Sequence, residues 1–316
     1  MNQISDNKSK AIQITRVLSM IAVICCHFLQ SLDNKYAWMF NAGVQVFLTL
    51  SGYLYGMKDI RLWGKYIQGR FLRIYLPYLL YIIPAITIYF IFIESVKPAI
   101  ILSYLLGIQG LTGNEIDSLA HLWFISAILV CYAIVPILQL FKPHAVIATL
   151  IIIVFGIIEY GLLRFHLMQF SWVFLFSIGY YYPNLQKKYK VSLALVLLCL
   201  TLYFSFSVGW NDILNFYSWK NRLLHDLIGL SSIIILIPII EYLCKWNRRI
   251  PSIIKKFDKF SYHIYLTHHL IILGPLSLMA ITPLLGLNIM IIVGGFLLTS
   301  ILLYYLSNHI SNKLKK

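Results

Sequence analysis

Apolar residues run in blocks of about twenty along nearly the whole chain, separated by short polar stretches, and this pattern predicts membrane-crossing helices. The blocks place ten spans at 11–30, 40–57, 74–93, 120–141, 145–163, 167–183, 191–209, 223–243, 260–282 and 287–306. Segment 167–183 is short and polar for a span. Segment 99–111 is too short to cross, which suits a re-entrant or interfacial piece. The first block lacks a small-residue cleavage site and is followed at once by another span, so it reads as an anchor. The expected fold is all-α: a polytopic bundle of about ten transmembrane helices forming one integral-membrane domain over 1–316. Residues 1–10 and 307–316 are its tails.

Composition agrees, with 60% apolar residues and 12% charged, the balance of a membrane protein. The net charge of +15 changes the picture only through its distribution. With the N-terminus in the cytoplasm, only Lys35, Lys97, Arg164, Lys220 and Arg222 of the 26 basic residues fall outside, so both termini are expected to be cytoplasmic. The charge then serves topology and attraction to anionic membrane lipids, and no nucleic-acid partner is expected. Cys25, Cys26, Cys131, Cys199 and Cys244 fall in expected spans without metal-ligand spacing, where thiols act as small apolar residues. Neither an internal repeat nor a Gly-rich phosphate loop is present.

Against this apolar background a few polar groups stand out. Arg16 and His27 share the first span, and eleven helical positions bring the azimuth back to within about 20° after a rise of ~16 Å. One face therefore carries a guanidinium near the surface and an imidazole deep in the bilayer. Ionisable groups at such depth usually face a partner, a cavity or a substrate path, although a snorkelling Arg and a hydrogen-bonded His remain open on this pair alone. Arg70 and Arg73 stand where the apolar run from Ile74 begins. On a helix they share a face, and their forked guanidinium groups suit a multiply charged phosphate ligand. Lys58, Arg61 and Lys65 read as an ordinary cytoplasmic cluster. Gly52 and Gly56 form a small-xxx-small pair that suits close helix packing more than chemistry.

The outer loop before the fourth span ends in Asn114, Glu115, Asp117, His121 and Trp123. Acid, imidazole and indole together suit sugar binding or proton transfer; a solvated acidic face and an interfacial Trp are the plainer alternatives. The ninth span carries His263, His268 and His269. On a continuing helix His268 and His269 point about 100° apart, so at most one is expected to face the same cavity as His27. No carboxylate lies near enough in sequence to favour a metal site.

These segments together resemble the type-3 acyltransferase family of integral-membrane proteins. The resemblance rests on Arg16-x10-His27, on Gly43-Val-Gln-Val-Phe-Leu-Thr-Leu-Ser-Gly-Tyr-Leu54, and on Arg70-Phe-Leu-Arg73-Ile-Tyr-Leu-Pro77. His121-Leu-Trp-Phe124 and Ser261-Tyr-His-Ile-Tyr-Leu-Thr-His268 complete it in the family's order. It implies a cytoplasmic acyl-CoA donor, with acetyl-CoA expected and succinyl the alternative, held at its phosphates by Arg16, Arg70 and Arg73. It implies that His27 moves the acyl group to a hydroxyl of a surface glycan or lipid-linked saccharide. Glu115, Asp117, His121, Trp123 and His268 are the candidate substrate or supporting residues. Unlike some relatives, the chain is expected to lack a fused extracytoplasmic domain, so the membrane domain itself or a separate extracytoplasmic partner protein would reach the acceptor. Multi-pass residence in a bacterial plasma membrane follows, without a metal cofactor. His27 as general base and His27 as acyl carrier both stay open. Two non-enzymatic alternatives are a flippase for a lipid-linked glycan, where buried charges line a path, and a non-catalytic subunit of a glycan-export machine.

Overall fold

The computed structural model describes residues 5–93, 95–113, 115–163, 171–207, 209, 214–215, 218–246 and 252–315. Asn114, residues 167–170 of the sixth expected span and residue 208 of the seventh lie outside them, as do the basic residues Arg164, Arg248, Arg249 and Lys316. Every regular element among the described residues is helical. In chain order the α-helices are α1 Asp6–Gln30, α2 Gly43–Gly56, α3 Trp63–Arg70, α4 Leu76–Phe92, α5 Pro98–Leu106, α6 Gln109–Thr112, α7 Trp123–Ala133 and α8 Val135–Leu140. They continue as α9 Ala145–Leu163, α10 Ser171–Tyr181, α11 Lys187–Ser207, α12 Trp219–Ser231, α13 Ile237–Trp246, α14 Ser252–Thr267 and α15 Leu285–Leu314.

Six helical stretches among the described residues are long and apolar enough to cross a membrane: Asp6–Gln30, Trp63–Phe92, Asp117–Leu140, Lys142–Gly161, Trp219–Trp246 and Leu285–Leu314. Helix also occupies much of the expected spans 40–57, 167–183 and 191–209, as α2, α10 and α11. Span 260–282 is corrected. Helix α14 begins earlier, at Ser252, and stops at Thr267; a short 3-10 turn His269–Ile271 follows. The apolar run does continue to Ile281, but Gly274 takes a positive φ of 81°, and Pro275 follows it. Apolarity persists there while the backbone cannot stay helical. The last helix is longer than expected, with 307–314 helical and not an extended tail.

The chain divides into two compact units. The first comprises Met1–Leu29, Asn34–Asp59 and Val130–Asp258; the second comprises Gln30–Asp33, Ile60–Leu129 and Lys259–Lys316.

In the first unit α2 is the hub, and glycine makes it so. A Cβ placed on Gly52 would lie 1.9 Å from the Phe176 carbonyl oxygen, and one on Gly56 1.9 Å from that of Tyr180. Gly179 of α10 presses on the Thr49 carbonyl in return, at 2.3 Å. Gly43 meets the Ser19 carbonyl of α1 and Gly229 of α12 meets Gln45. Side-chain-free faces let backbones touch where lipid provides no hydrophobic drive between helices. Around this hub Leu50, Tyr53, Leu175, Ile178, Leu197, Leu227, Ile233 and Ile237 close an apolar core.

The second unit is tied by tyrosine hydroxyls. Helices α3 and α4 join through a π-helical turn, Phe71–Tyr75. The expected non-crossing segment folds as α5 and α6, each ended by a left-handed glycine, Gly107 and Gly113. Tyr78 donates to the Tyr104 carbonyl at 2.5 Å, and Tyr104 accepts the Ile116 N–H at 3.0 Å. Gln109 donates to the Leu122 carbonyl at 2.6 Å. Helices α14 and α15 are joined by Thr267 and Ser300, whose hydroxyls lie 2.8 Å apart.

Candidate functional site

In the first unit Arg16 and His27 lie on one uninterrupted 25-residue helix, α1. Asp6 in its first turn complements the helix N-terminus. Arg16 is engaged by Asp258 of α14 at two points, Nε to Oδ1 at 2.8 Å and Nη2 donating to Oδ2 at 2.9 Å. The Arg16 side chain is one-third exposed (34%) and Asp258 nearly covered (11%). Burial raises the Asp258 pKa, and the Arg16 charge opposes that rise. A planar fork held on a carboxylate fixes the guanidinium while its remaining N–H groups can still meet another anion. Asp258, 242 positions away in sequence, had no signal in the chain that would pair it with Arg16. His27 is half-buried.

The same unit holds a second polar cluster that sequence reading passed over. Tyr160 of α9 donates to the Asp226 carboxylate of α12, which Ser171 also hydrogen-bonds and Arg222 faces electrostatically. Glu159, Asn221 and His225 are buried beside them in sequence, and His225 hydrogen-bonds the Trp38 backbone. Two acids inside apolar runs were the available signal.

In the second unit the structure brings together two of the expected residues, His121 and His268, and adds His269 and Tyr265. The His121 ring stacks on that of His269 at 4.5 Å and meets His268 edge-on at 5.3 Å. The 100° divergence expected of His268 and His269 assumed a continuing helix. Because α14 ends at Thr267, both rings reach His121. Backbone carbonyls fix the protons. Leu266 O lies 3.2 Å from His121 Nε2, Ser118 O lies 3.0 Å from His269 Nδ1, and Tyr265 O lies 2.9 Å from His268 Nδ1. A carbonyl only accepts, so each of those nitrogens carries a hydrogen and donates it. Tyr265 donates to the His121 carbonyl. Tyr265→Phe should therefore lower thermal stability by about 1–2 kcal/mol, read from unfolding in detergent, because a buried carbonyl loses its donor.

Glu115 and Asp117 are exposed, with buried Ile116 between them pointing inward, the alternation of a solvated loop face. Trp123 is half-buried, its backbone packed on Gly110. Arg70, the last residue of α3, is half-buried, while Arg73 lies in the π-helical turn and is exposed. A π turn adds a residue to the helical repeat and is a frequent companion of functional sites. Among the described residues no group of three or more His, Cys, Asp or Glu side chains is arranged to hold a metal ion, and all five cysteines are free thiols.

Compared with known proteins, residues 9–308 match a family model described as an acyltransferase domain. No curated protein and no solved structure matches the chain.

Proposed function

The chain belongs to the acyltransferase type 3 family, and from that premise we propose that it moves an acyl group, acetyl in the first instance, from cytoplasmic acyl-CoA to a hydroxyl of a surface or lipid-linked glycan. The chain is then a multi-pass protein of a bacterial plasma membrane, with ten spans and both termini cytoplasmic. His27 is its catalytic imidazole, as general base or acyl carrier. Arg16, Arg70 and Arg73 take the donor's phosphates, and His121, His268, Trp123, Glu115 and Asp117 serve the acceptor side.

One observation carries the reading: within the matched residues, Arg16 and His27 sit on a single unbroken helix, a rise of ~16 Å apart. A cation for the donor's phosphates and a base for its thioester need that kind of separation, since the two groups stand at opposite ends of the pantetheine arm. The test is transfer itself. Membrane vesicles given labelled acetyl-CoA on the cytoplasmic side should accumulate label in glycan, and vesicles without the protein should not. Label that stays wholly in acetyl-CoA would overturn the reading.

The arginines have their own test. Replacing Arg70 by Lys keeps the charge and loses the fork, so CoA affinity should still fall. Losing one charge-assisted contact costs on the order of 1.5–3 kcal/mol. Arg70, being half-buried, should matter more than exposed Arg73, because buried contacts are screened less by salt. Titration calorimetry in two salt concentrations measures both. Unchanged binding in Arg70→Ala and Arg73→Ala would reduce the pair to a topology signal.

A further inference from the structure

Lys8 of α1 and Lys190 of α11 form a like-charged pair walled by two tyrosines. The Lys8 ammonium lies 5.1 Å from the Tyr53 ring centroid and the Lys190 ammonium 5.4 Å from that of Tyr182. The two rings are 6.2 Å apart. Burial lowers the Lys190 pKa, and the nearby Lys8 charge lowers it further. Lys190 Nζ donates to the Pro183 carbonyl at 3.1 Å. The neighbouring acids are engaged elsewhere: Asp6 pairs with Lys10, and Glu241 accepts from the Ser5 hydroxyl. Helix α11 has no acidic residue in its first turn. Among the described residues, neither ammonium pairs with a carboxylate. Two cations that repel each other, each seated on one of two neighbouring rings, suit an anion of two charges.

We propose that Lys8 and Lys190 bind a phosphomonoester, and that its source is the 3′-phosphate of the acyl-CoA donor. The inference rests on the donor reading above and deepens it. A phosphomonoester carries close to two charges near neutral pH, which matches two ammonium groups; the phosphodiester of common membrane lipids carries one. The order along α1 also fits. Lys8 precedes Arg16 by a rise of ~12 Å, and Arg16 precedes His27 by ~16 Å. Going inward, the helix thus presents groups for the 3′-phosphate, the diphosphate and the thioester in the order in which acyl-CoA carries them.

Titration calorimetry with the purified full chain in phosphatidylcholine nanodiscs, using CoA and 3′-dephospho-CoA, tests the proposal. Wild type should bind CoA about tenfold more tightly or better, the worth of a charge-assisted contact. The double variant Lys8→Met with Lys190→Met should bind both at the wild-type affinity for dephospho-CoA. Each single variant should lose part of the preference, so the test holds even if the double variant does not fold, and Lys190→Arg should keep it. Equal binding of the two ligands by wild type, or a preference that survives both single substitutions, overturns the site and leaves the donor reading standing. Binding of neither ligand by folded protein overturns the donor reading and the site together. Phosphatidic acid doped into the nanodisc separates the other phosphomonoester source. A CoA preference that persists supports the proposal, and one that disappears assigns the lysines to lipid.

Discussion

Replacing His27 by Gln should abolish acyl transfer and leave a folded protein that still binds CoA. Glutamine keeps a hydrogen-bonding end at a half-buried position of α1, so helix packing is preserved. It cannot take up and return a proton near neutral pH, nor carry an acyl group, so it should be as inactive as His27→Ala. The loss expected for removing a positioned acid–base group is on the order of 10²–10⁴-fold. CoA affinity should barely move, because in the proposed arrangement the phosphates are gripped about three turns away and the imidazole acts in the transition state. Steady-state kinetics with parallel calorimetry separate the alternatives. An active His27→Gln beside an unfolded His27→Ala would make the residue structural.

The second large effect is on folding. Gly52→Val should prevent the first unit from packing. Even the Cβ would lie 1.9 Å from the Phe176 carbonyl oxygen and 2.8 Å from its carbonyl carbon. Both are backbone atoms of α10 and have no rotamer to escape into, so the two helices must separate. That forfeits the contacts of Leu50, Tyr53, Leu175 and Ile178 around them. Overpacking costs about 1–3 kcal/mol where side chains can adjust, and here the cost should exceed that range. Gly64→Ala is the control. Nothing lies within 4 Å of its added Cβ, and alanine in a helix gains about 0.5–1 kcal/mol over glycine. Thermal unfolding in detergent should show a large drop for the first and no drop for the second. A stable Gly52→Val would mean that α2 and α10 do not touch at this point.

What the sequence made legible follows the range of the forces involved. Arg16 and His27 on one face needed only helical periodicity, and α1 delivers it. Gly52 and Gly56 announced close packing, though not that α10 would answer with Gly179. The short helices α5 and α6 were foreseen as a piece too short to cross. The misses are tertiary or backbone-specific. Asp258 meets Arg16 across 242 positions, and no local pattern encodes that pairing. The end of α14 at Thr267 was hidden because hydropathy measures what a segment can touch and not whether its backbone is helical. Gly274–Pro275 was the sign to heed. The end of α14 at Thr267, ahead of that break, is what lets His269 join His268 on His121. The π turn after Arg70 likewise leaves no periodic trace, yet it gives Arg70 and Arg73 different exposures. Glu159 and Asp226 were visible as acids in apolar runs; their link through Tyr160 was not.

The central claim is that this membrane protein uses acyl-CoA as its donor through His27, and release of free CoA thiol tests it most directly. Purified protein in proteoliposomes, supplied with acetyl-CoA and glycan acceptor, should liberate CoA thiol steadily, and His27→Gln protein at equal occupancy should liberate it at the protein-free rate. Equal thiol release by folded wild-type and His27→Gln proteins, or none by either, would contradict the account.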